Sequence, residues 1–185
     1  MKLQRSTWFL VAIALVLSAT VYVNEIEERP SREATADQLF DFEEAEIQGV
    51  VVKQPEQTLE FERNDDDAWQ MKQPQDVLAS DAAVSFLLNL LVEGESDRSF
   101  TIAPDQKQEY GLDTPQAEIQ VELEDGQHEL ILGNPSFDNQ SVYAQIDSAN
   151  QDEEITVFLV PIDFQYAVER ELTEWQQPED TQENE

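Results

Sequence analysis

Cysteine is absent from this chain of 185 residues, and histidine occurs once, as His128. Without cysteine the protein can form no disulfide, no thiol nucleophile, no iron–sulfur cluster and no thiolate zinc site. The cysteine that accepts a lipid in bacterial lipoproteins is missing as well. These absences exclude several classes of function, but they do not indicate the redox environment in which the protein works.

Glycine and positive charge are also scarce. The five glycines form no phosphate-binding or dinucleotide-binding loop. Ten lysines and arginines oppose 41 aspartates and glutamates, which gives a formal net charge of -31. All 41 acids and eight of the bases follow residue 23, so that part of the chain carries 8 - 41 = -33. Since such a surface repels phosphate backbones and anionic lipid headgroups, we expect no nucleic-acid binding.

Hydrophobic sequence is concentrated at the amino terminus. Residues 7–23 carry no charge and follow Lys2 and Arg5. A helix rising about 1.5 Å per residue would make them roughly 26 Å long, slightly less than the ~30 Å hydrocarbon core of a bilayer. Trp8 and Tyr22 lie near the two ends, where interfacial aromatic residues are typical. The pattern predicts a cytoplasmic tip and a single transmembrane helix within residues 1–23, which contacts the lipid bilayer through residues 7–23.

A cleaved signal peptide is the alternative to a retained anchor. Ser18-Ala19-Thr20 is a poor cleavage site because its last residue is not small enough, and residues 34–36 have suitable spacing but lie far beyond the apolar stretch. We therefore expect the anchor to be retained. In either case the amino-terminal positive charges stay in the cytoplasm, so the rest of the chain is extracytoplasmic.

The exported part divides into three by composition. Residues 24–38 are polar and charged, as in a linker, and residues 176–185 are acidic, as in a disordered tail. Residues 39–175 between them carry enough apolar sequence for one compact domain.

The first half of this domain predicts a strand meander followed by a helix. Alternating apolar and polar residues, separated by turn residues, indicate three strands. Ser80 is a favourable amino-terminal cap for a helix over residues 81–93, and Gly94 ends it. The predicted strands cover residues 47–54, 58–63 and 68–72.

The second half predicts a hairpin, two further strands and a last helix. Asp125-Gly126 is a favoured two-residue turn, and it would place Leu123 opposite His128. Gly133–Pro135 is expected to break the second strand of the hairpin. The remaining predicted elements are a helical turn over 104–110, strands over 117–124, 127–132, 141–147 and 155–160, and a helix over 162–175. The order is βββα then ββββα, which is an α+β fold with an antiparallel sheet.

Tyr110–Pro115, with the sequence Tyr-Gly-Leu-Asp-Thr-Pro, is followed by a strand, Asp-Gly, a second strand and Leu132-Gly133. In this order of features the chain resembles the Domain of Unknown Function 4340 (DUF4340) family of bacterial membrane-anchored proteins, over residues 1–172. Further matching segments are the amino-terminal anchor, Leu39–Phe42, Val50–Val52, Trp69 before Pro74, Asp81–Val84, Val142–Ala144 and Phe158–Pro161.

The resemblance implies a role rather than a reaction. Members are often encoded beside ABC-transporter components of the gliding-motility auxiliary type, so the resemblance implies an extracytoplasmic accessory protein of the bacterial inner (plasma) membrane. ABC-transporter membrane subunits are the implied partners. The family supplies no catalytic, cofactor-binding or metal-binding residue, and we expect no enzyme activity and no cofactor.

The candidate catalytic and metal-binding residues have simpler structural interpretations. His128 could be a general base, but no Ser-His-Asp spacing accompanies it, and a partly buried structural histidine is the preferred interpretation. The acidic runs at residues 65–67 and 152–154 could hold Ca²⁺, yet neither has the spacing of a calcium loop. Solvated turns explain both runs. The sequence assigns no catalytic or metal residue.

These observations predict a membrane-anchored interaction module of an ABC-transporter or gliding-type envelope system. The alternatives are a ligand-binding domain or enzyme of the cell envelope, which could depend on calcium, and a cleaved soluble periplasmic protein.

Overall fold

The structure, a computed structural model, describes residues 37–64, 66–147 and 154–178. The predicted transmembrane helix over 7–23 lies outside these residues, as does the end of the predicted tail, 179–185. None of the helices in the described ranges combines the length and the apolar character needed to cross a bilayer.

The described residues form a nine-stranded antiparallel sheet with few helices, which confirms the predicted α+β class. Its strand order is β5-β4-β3-β2-β8-β9-β10-β11-β7, and β1 and β6 form a separate two-stranded sheet. The strands are β1 (Asp37–Gln38), β2 (Ile47–Lys53), β3 (Thr58–Arg63), β4 (Trp69–Gln73), β5 (Val77–Leu78), β6 (Glu95–Ser96), β7 (Arg98–Ile102), β8 (Ala117–Leu123), β9 (Gln127–Pro135), β10 (Ser141–Ile146) and β11 (Ile155–Pro161). The helices are α1 (Asp81–Glu93) and α2 (Asp163–Val168), with 3-10 segments at Glu44–Glu46, Pro104–Tyr110 and Leu172–Trp175.

The predicted meander and first helix are confirmed. β2, β3 and β4 pair in sequence order, and β3 buries Leu59 and Phe61 while the acids between and beside them face outward. The Ser80 side chain accepts a hydrogen bond from the backbone N–H of Ala83, which caps α1. The helix packs on the sheet through one apolar face. Its buried residues are Ala83, Val84, Leu87, Leu88 and Leu91.

The sheet carries an apolar core on each face. Successive residues of a strand point to opposite faces, and Leu130 and Leu132 of β9 belong to the core beneath α1. Ile131 belongs to a second, smaller core on the other face. The 3-10 segment Pro104–Tyr110 covers that second core, and Leu112 fills it after a turn at Gly111.

The hairpin of β8 and β9 turns one residue earlier in the sequence than predicted. Val121 lies opposite His128, whereas the sequence predicts Leu123 there, so the predicted register is wrong by two residues. The N–H of Leu123 donates to the carbonyl of Gly126 at 2.9 Å. Neither Asp125 nor Gly126 has a positive φ, which the expected two-residue turn requires at both positions. Because the shift is two residues, every side chain keeps its predicted face.

The predicted break of β9 at Gly133–Pro135 is also wrong, since the strand continues through these residues. The pairing register shifts between Val142 and Ala144 of β10, which indicates a β-bulge in place of a break. A Cβ atom at Gly133 would lie 2.1 Å from the carbonyl oxygen of Tyr110. Glycine therefore permits the close approach of two backbones at the bulge rather than the end of the strand.

The last predicted helix, 162–175, is interrupted. α2 ends at Val168, and the separate 3-10 segment Leu172–Trp175 follows an extended Glu171. Gln176 and Gln177, at the start of the predicted tail, pair with the edge of the sheet: Gln176 forms a bridge with Ala79, and Gln177 N–H donates to the carbonyl of Leu78 at 3.0 Å. Trp175 is thereby held in the core against Phe61, with ring centroids 5.1 Å apart.

Four strands were not predicted from the sequence. β1, β5 and β6 have two residues each, too few for an alternating pattern. β7 lies at an edge of the large sheet and exposes Arg98, Ser99 and Thr101. β1 includes Asp37 and Gln38, so the last two residues of the predicted linker pair with β6.

Candidate functional site

A surface groove lies at the carboxyl end of α1, with a volume of about 490 Å³. Its walls come from the last two turns of α1, from β6 and the residue after it, and from the junction of β11 with α2. These segments are far apart in sequence and meet only in the fold. The lining residues are Phe86, Asn89, Leu90, Glu93, Gly94, Glu95, Asp97, Pro161 and Asp163.

The floor of the groove is apolar. Phe86 and Leu90 are four residues apart and share one face of α1, and Pro161 adds an apolar surface at the end of β11. Phe86 and Leu90 are partly buried and pack at the margin of the main core. The groove lies along this second apolar side of α1.

The rim of the groove is acidic. Glu93, Glu95, Asp97 and Asp163 are all exposed, and they are the ionisable side chains among the lining residues. The last turn of α1 contains no basic residue, although a helix carboxyl terminus carries a partial negative charge that basic residues usually offset. The acid at Glu93 therefore adds to a potential that is already negative.

One cation of the chain lies beside the floor. The guanidinium carbon of Arg170 is 4.8 Å from the ring centroid of Phe86 and 5.9 Å from that of Trp175. Both distances are within the range of cation–π attraction. A ring that forms part of the groove floor is thus already in contact with a positive charge.

The turn between β9 and β10 is a hydrogen-bonded loop that carries an exposed aromatic ring. Phe137 is fully exposed at the tip of the turn between β9 and β10. The hydroxyl of Ser136 donates to Asp138 at 2.7 Å and accepts from the backbone N–H of Ser141 at 3.1 Å. The Ser136 hydroxyl and the backbone N–H of Gln140 together hold the pKa of Asp138 below its usual value.

The loop is connected directly to one wall of the groove. The carbonyl of Gln140 accepts a hydrogen bond from the N–H of Ile162 at 3.2 Å, and Ser141 pairs with Pro161. Pro161 and Asp163 line the groove on either side of Ile162. Backbone hydrogen bonding therefore joins the loop that carries Phe137 to the segment that carries Pro161 and Asp163.

His128 lies at a different end of β9 from this surface. Its imidazole packs against the rings of Phe40 and Phe42, with centroids 5.6 and 5.5 Å away. Its Nδ1 lies 3.0 Å from Oδ2 of Asp147, whose other carboxylate oxygen accepts from the N–H of Glu129. These contacts join the segment that contains Phe40 and Phe42 to β9.

The acidic runs do not form a metal site in the part of the chain that the structure describes. Asp67 pairs with Arg63 at 3.2 Å, and Asp66 donates its N–H to the side chain of Asn64. Asp65 and residues 152–153 lie outside the described ranges. Within those ranges no group of three or more His, Asp or Glu side chains could hold a metal ion.

The groove was not predicted from the sequence, because its walls come from segments that no local pattern connects. A partial signal was nevertheless present. Glu93 and Glu95 flank the predicted end of α1, where basic residues would be expected to offset the helix dipole.

Comparison with known proteins gives one match. The sequence model of the family described as "Domain of unknown function (DUF4340)" matches residues 69–179, a range that includes all the groove residues and the Phe137 loop. Comparison with curated proteins and with solved structures found no match.

Proposed function

The chain belongs to the DUF4340 family, described as a domain of unknown function, and from this premise we propose that it is a single-pass membrane-anchored interaction module. In this proposal residues 7–23 span the bacterial inner membrane and the folded domain faces the extracytoplasmic side. The domain acts as an accessory component of an ABC-transporter or gliding-type envelope system, and it performs no chemistry itself.

The observation that carries the proposal is the groove with an apolar floor and an acidic rim. Apolar surface that is recessed and ringed by charge is typical of a contact site for another macromolecule. Phe137 is fully exposed on a loop whose backbone is hydrogen-bonded to Ile162, between two residues that line the groove. Aromatic side chains are frequent anchors at protein interfaces, because they bury a large area with few rotatable bonds.

The position of the groove favours a partner in the same membrane. Glu95, on the rim, pairs in β6 with Gln38 of β1, the first strand of the domain. The chain therefore enters the domain beside the groove. Residues 24–36, the part of the predicted linker before β1, are only thirteen residues long, so a membrane subunit is the expected partner.

The topology is tested with a carboxy-terminal alkaline phosphatase fusion of the full chain, compared with a fluorescent protein fusion that matures in the cytoplasm. We expect an active phosphatase, and a membrane-bound protein that alkaline washing leaves in place and detergent releases. A fusion that is active only in the cytoplasm, or a chain that washes free without detergent, would refute the anchor. Mature protein that begins after residue 23 would favour the cleaved periplasmic alternative.

The partner is tested with a photo-crosslinking amino acid at Asn89, which lines the groove and is exposed. In membranes of the native host we expect an adduct that contains an ABC-transporter membrane subunit, identified by mass spectrometry. Gln108, exposed on the segment that covers the opposite face of the sheet, is the matched control position. Adducts without a transporter subunit, or the same adduct from both positions, would contradict the accessory role.

The size of the groove favours a second candidate, an envelope domain that binds a small ligand. Its volume of about 490 Å³ lies within the range of pockets that hold drug-sized molecules, roughly 300–1,000 Å³. If the groove binds a small ligand, that ligand should raise the melting temperature of the full chain. In that case Asn89 should form no crosslink to a membrane subunit. Crosslinks that persist in the presence of any such ligand would favour the interaction module.

A further inference from the structure

We infer that the acidic groove holds a basic amphipathic polypeptide segment, whose lysine or arginine side chains meet the rim while an apolar side chain rests on the floor. This inference depends on the proposed function, because it takes the groove as the docking surface. It adds the chemical class of what docks there.

The negative charge of the rim and its position at the carboxyl end of α1 both favour a positively charged occupant. Glu93, Glu95 and Asp97 follow one another at the carboxyl end of the helix, and Asp163 faces them from the start of α2. The helix terminus contributes further negative potential, with no basic residue in its last turn. A positive side chain bound here would be attracted by both, so charge complementarity identifies the polar part of the occupant.

The floor favours an occupant with an apolar surface, or with a group that can pack on an aromatic ring. Phe86, Leu90 and Pro161 offer no charged group, so a purely ionic occupant would leave this surface unused. Arg170 already lies over the ring of Phe86 at 4.8 Å. The aliphatic stem of a lysine or arginine, laid along such a floor with its charge at the rim, satisfies both parts of the groove.

Other occupants fit the same observations less well. A second copy of this chain would bring a further net charge of -31 to an acidic surface. Anionic lipid headgroups are repelled by the same charge. A bare metal ion would not use the apolar floor, and within the described residues no group of three potential ligands is close enough to hold one.

The experiment uses the full chain in detergent and a fluorescently labelled peptide of lysine and leucine, arranged to be amphipathic as a helix. Binding is followed by fluorescence anisotropy at low and at physiological salt. The groove variant combines Glu93→Gln, Glu95→Gln and Asp97→Asn, all at exposed positions. We expect it to weaken binding by at least about tenfold and to flatten the dependence of affinity on salt.

A matched control variant removes the same charge elsewhere. It combines Asp105→Asn, Glu109→Gln and Asp113→Asn, which are exposed around the 3-10 segment that covers the second core on the other face of the sheet. We expect its affinity to remain within about twofold of the unmodified chain. Equal losses in the two variants would mean that the peptide senses only overall charge, and would overturn the inference.

A second pair of variants tests the groove without removing acids. Asn89→Lys introduces a cation beside the rim, at an exposed helical position where lysine is well tolerated. It should compete with the peptide and weaken its binding about tenfold, whereas Gln108→Lys on the opposite face should not. Unchanged binding by Asn89→Lys would also overturn the inference.

The peptide itself has a matched control, in which glutamine replaces every lysine. We expect this neutral peptide to bind at least about tenfold more weakly, because it lacks the charges that the rim attracts. Equal binding of the two peptides, or no binding of the lysine peptide, would refute the basic occupant. Crosslinks from Asn89 to a membrane subunit would then still uphold the proposed function. Peptide binding without such crosslinks would uphold the inference and refute the accessory role.

Discussion

Gly133 lies where the backbone of Tyr110 crosses the bulge of β9. A Cβ atom there would lie 2.1 Å from the Tyr110 carbonyl oxygen, and a backbone oxygen cannot move aside as the end of a flexible side chain can. The substitution must therefore displace either the bulge or the segment that covers the second core. Single residues of this kind determine whether the two backbones can pack at all.

Gly133→Ala should lower the free energy of unfolding by about 2–4 kcal/mol, in the range of overpacked or strained positions. Gly126→Ala is its matched control, because a Cβ atom at Gly126 meets nothing within 4 Å. The control should change stability by less than about 0.5 kcal/mol. Urea denaturation followed by circular dichroism measures both values, and equal stabilities of the two variants would contradict the close approach.

Asp138 holds the Phe137 loop in shape through hydrogen bonds to its charged form. The hydroxyl of Ser136 and the N–H of Gln140 lower its pKa from the ordinary value of 3.8. A lowered pKa in the folded state contributes stability above the unfolded pKa, and that contribution is lost as the pH falls through the folded pKa. The order of this loop is therefore expected to decrease only in strong acid.

Ser136→Ala should raise the pKa of Asp138 toward its ordinary value, because the largest cause of the lowering is removed. The carboxyl carbon of Asp138, followed by NMR as the pH falls, reports the change directly. Ser99→Ala, at an exposed position of β7, should leave the Asp138 titration where it was. A titration midpoint that Ser136→Ala does not move would show that the hydroxyl is not the cause.

At the scale of elements, the segment after α2 closes the main core. Trp175 is fully buried against Phe61, and its carbonyl accepts the N–H of Ser80, the cap residue of α1. Gln177 then pairs with the edge strand β5. The 3-10 segment and the two residues after it thus support the core, a helix terminus and a sheet edge together.

A chain that stops after Glu171 should lose at least about 3–5 kcal/mol of stability, the usual cost of removing a buried tryptophan side chain. A chain that stops after Pro178 keeps every described contact of this segment and should melt with the full chain. Circular dichroism during thermal unfolding compares the three. Equal melting of the two shortened chains would mean that Trp175 is not part of the core.

The elements that the sequence predicts well are those whose side chains alternate or recur at helical spacing. β3 and α1 have the predicted bounds, because each buries one face of a regular repeat. The hairpin register is different: it depends on backbone angles at Asp125 and Gly126, which residue preference alone does not determine. The two-residue strands have no periodicity and are defined only by their partners.

The groove could not be predicted for a related reason. Phe86, Glu95 and Asp163 come from a helix, a short strand and the start of a second helix, and they meet because of the order of strands in the sheet. The sequence indicates the acidity, but not the position of these acidic and apolar side chains beside one another. Sheet order is a long-range property that local patterns do not contain.

At the scale of the whole molecule, negative charge is hardly offset. Among the described residues, Arg63, Lys72 and His128 pair with acids, the last only when protonated. The full chain has 41 acids against ten lysines and arginines. Most carboxylates therefore repel one another across the surface, and this repulsion is relieved when the chain unfolds and expands.

Salt should consequently stabilise the folded protein. The screening length falls from about 10 Å in 0.1 M salt to about 3 Å in 1 M, a distance shorter than that between most surface charges. If screening removes about 2 kcal/mol of repulsion, the melting temperature should rise by roughly 4–8 °C. Thermal unfolding of the full chain across this range of NaCl measures the change.

A variant with fewer acidic residues distinguishes the screening of charge repulsion from a general stabilising effect of salt on proteins. The control variant that replaces Asp105, Glu109 and Asp113 has three fewer negative charges on exposed positions. It should melt higher than the unmodified chain at low salt, and its melting temperature should rise less as NaCl is added. A melting temperature that stays flat in NaCl would show that the acidity does not destabilise the fold.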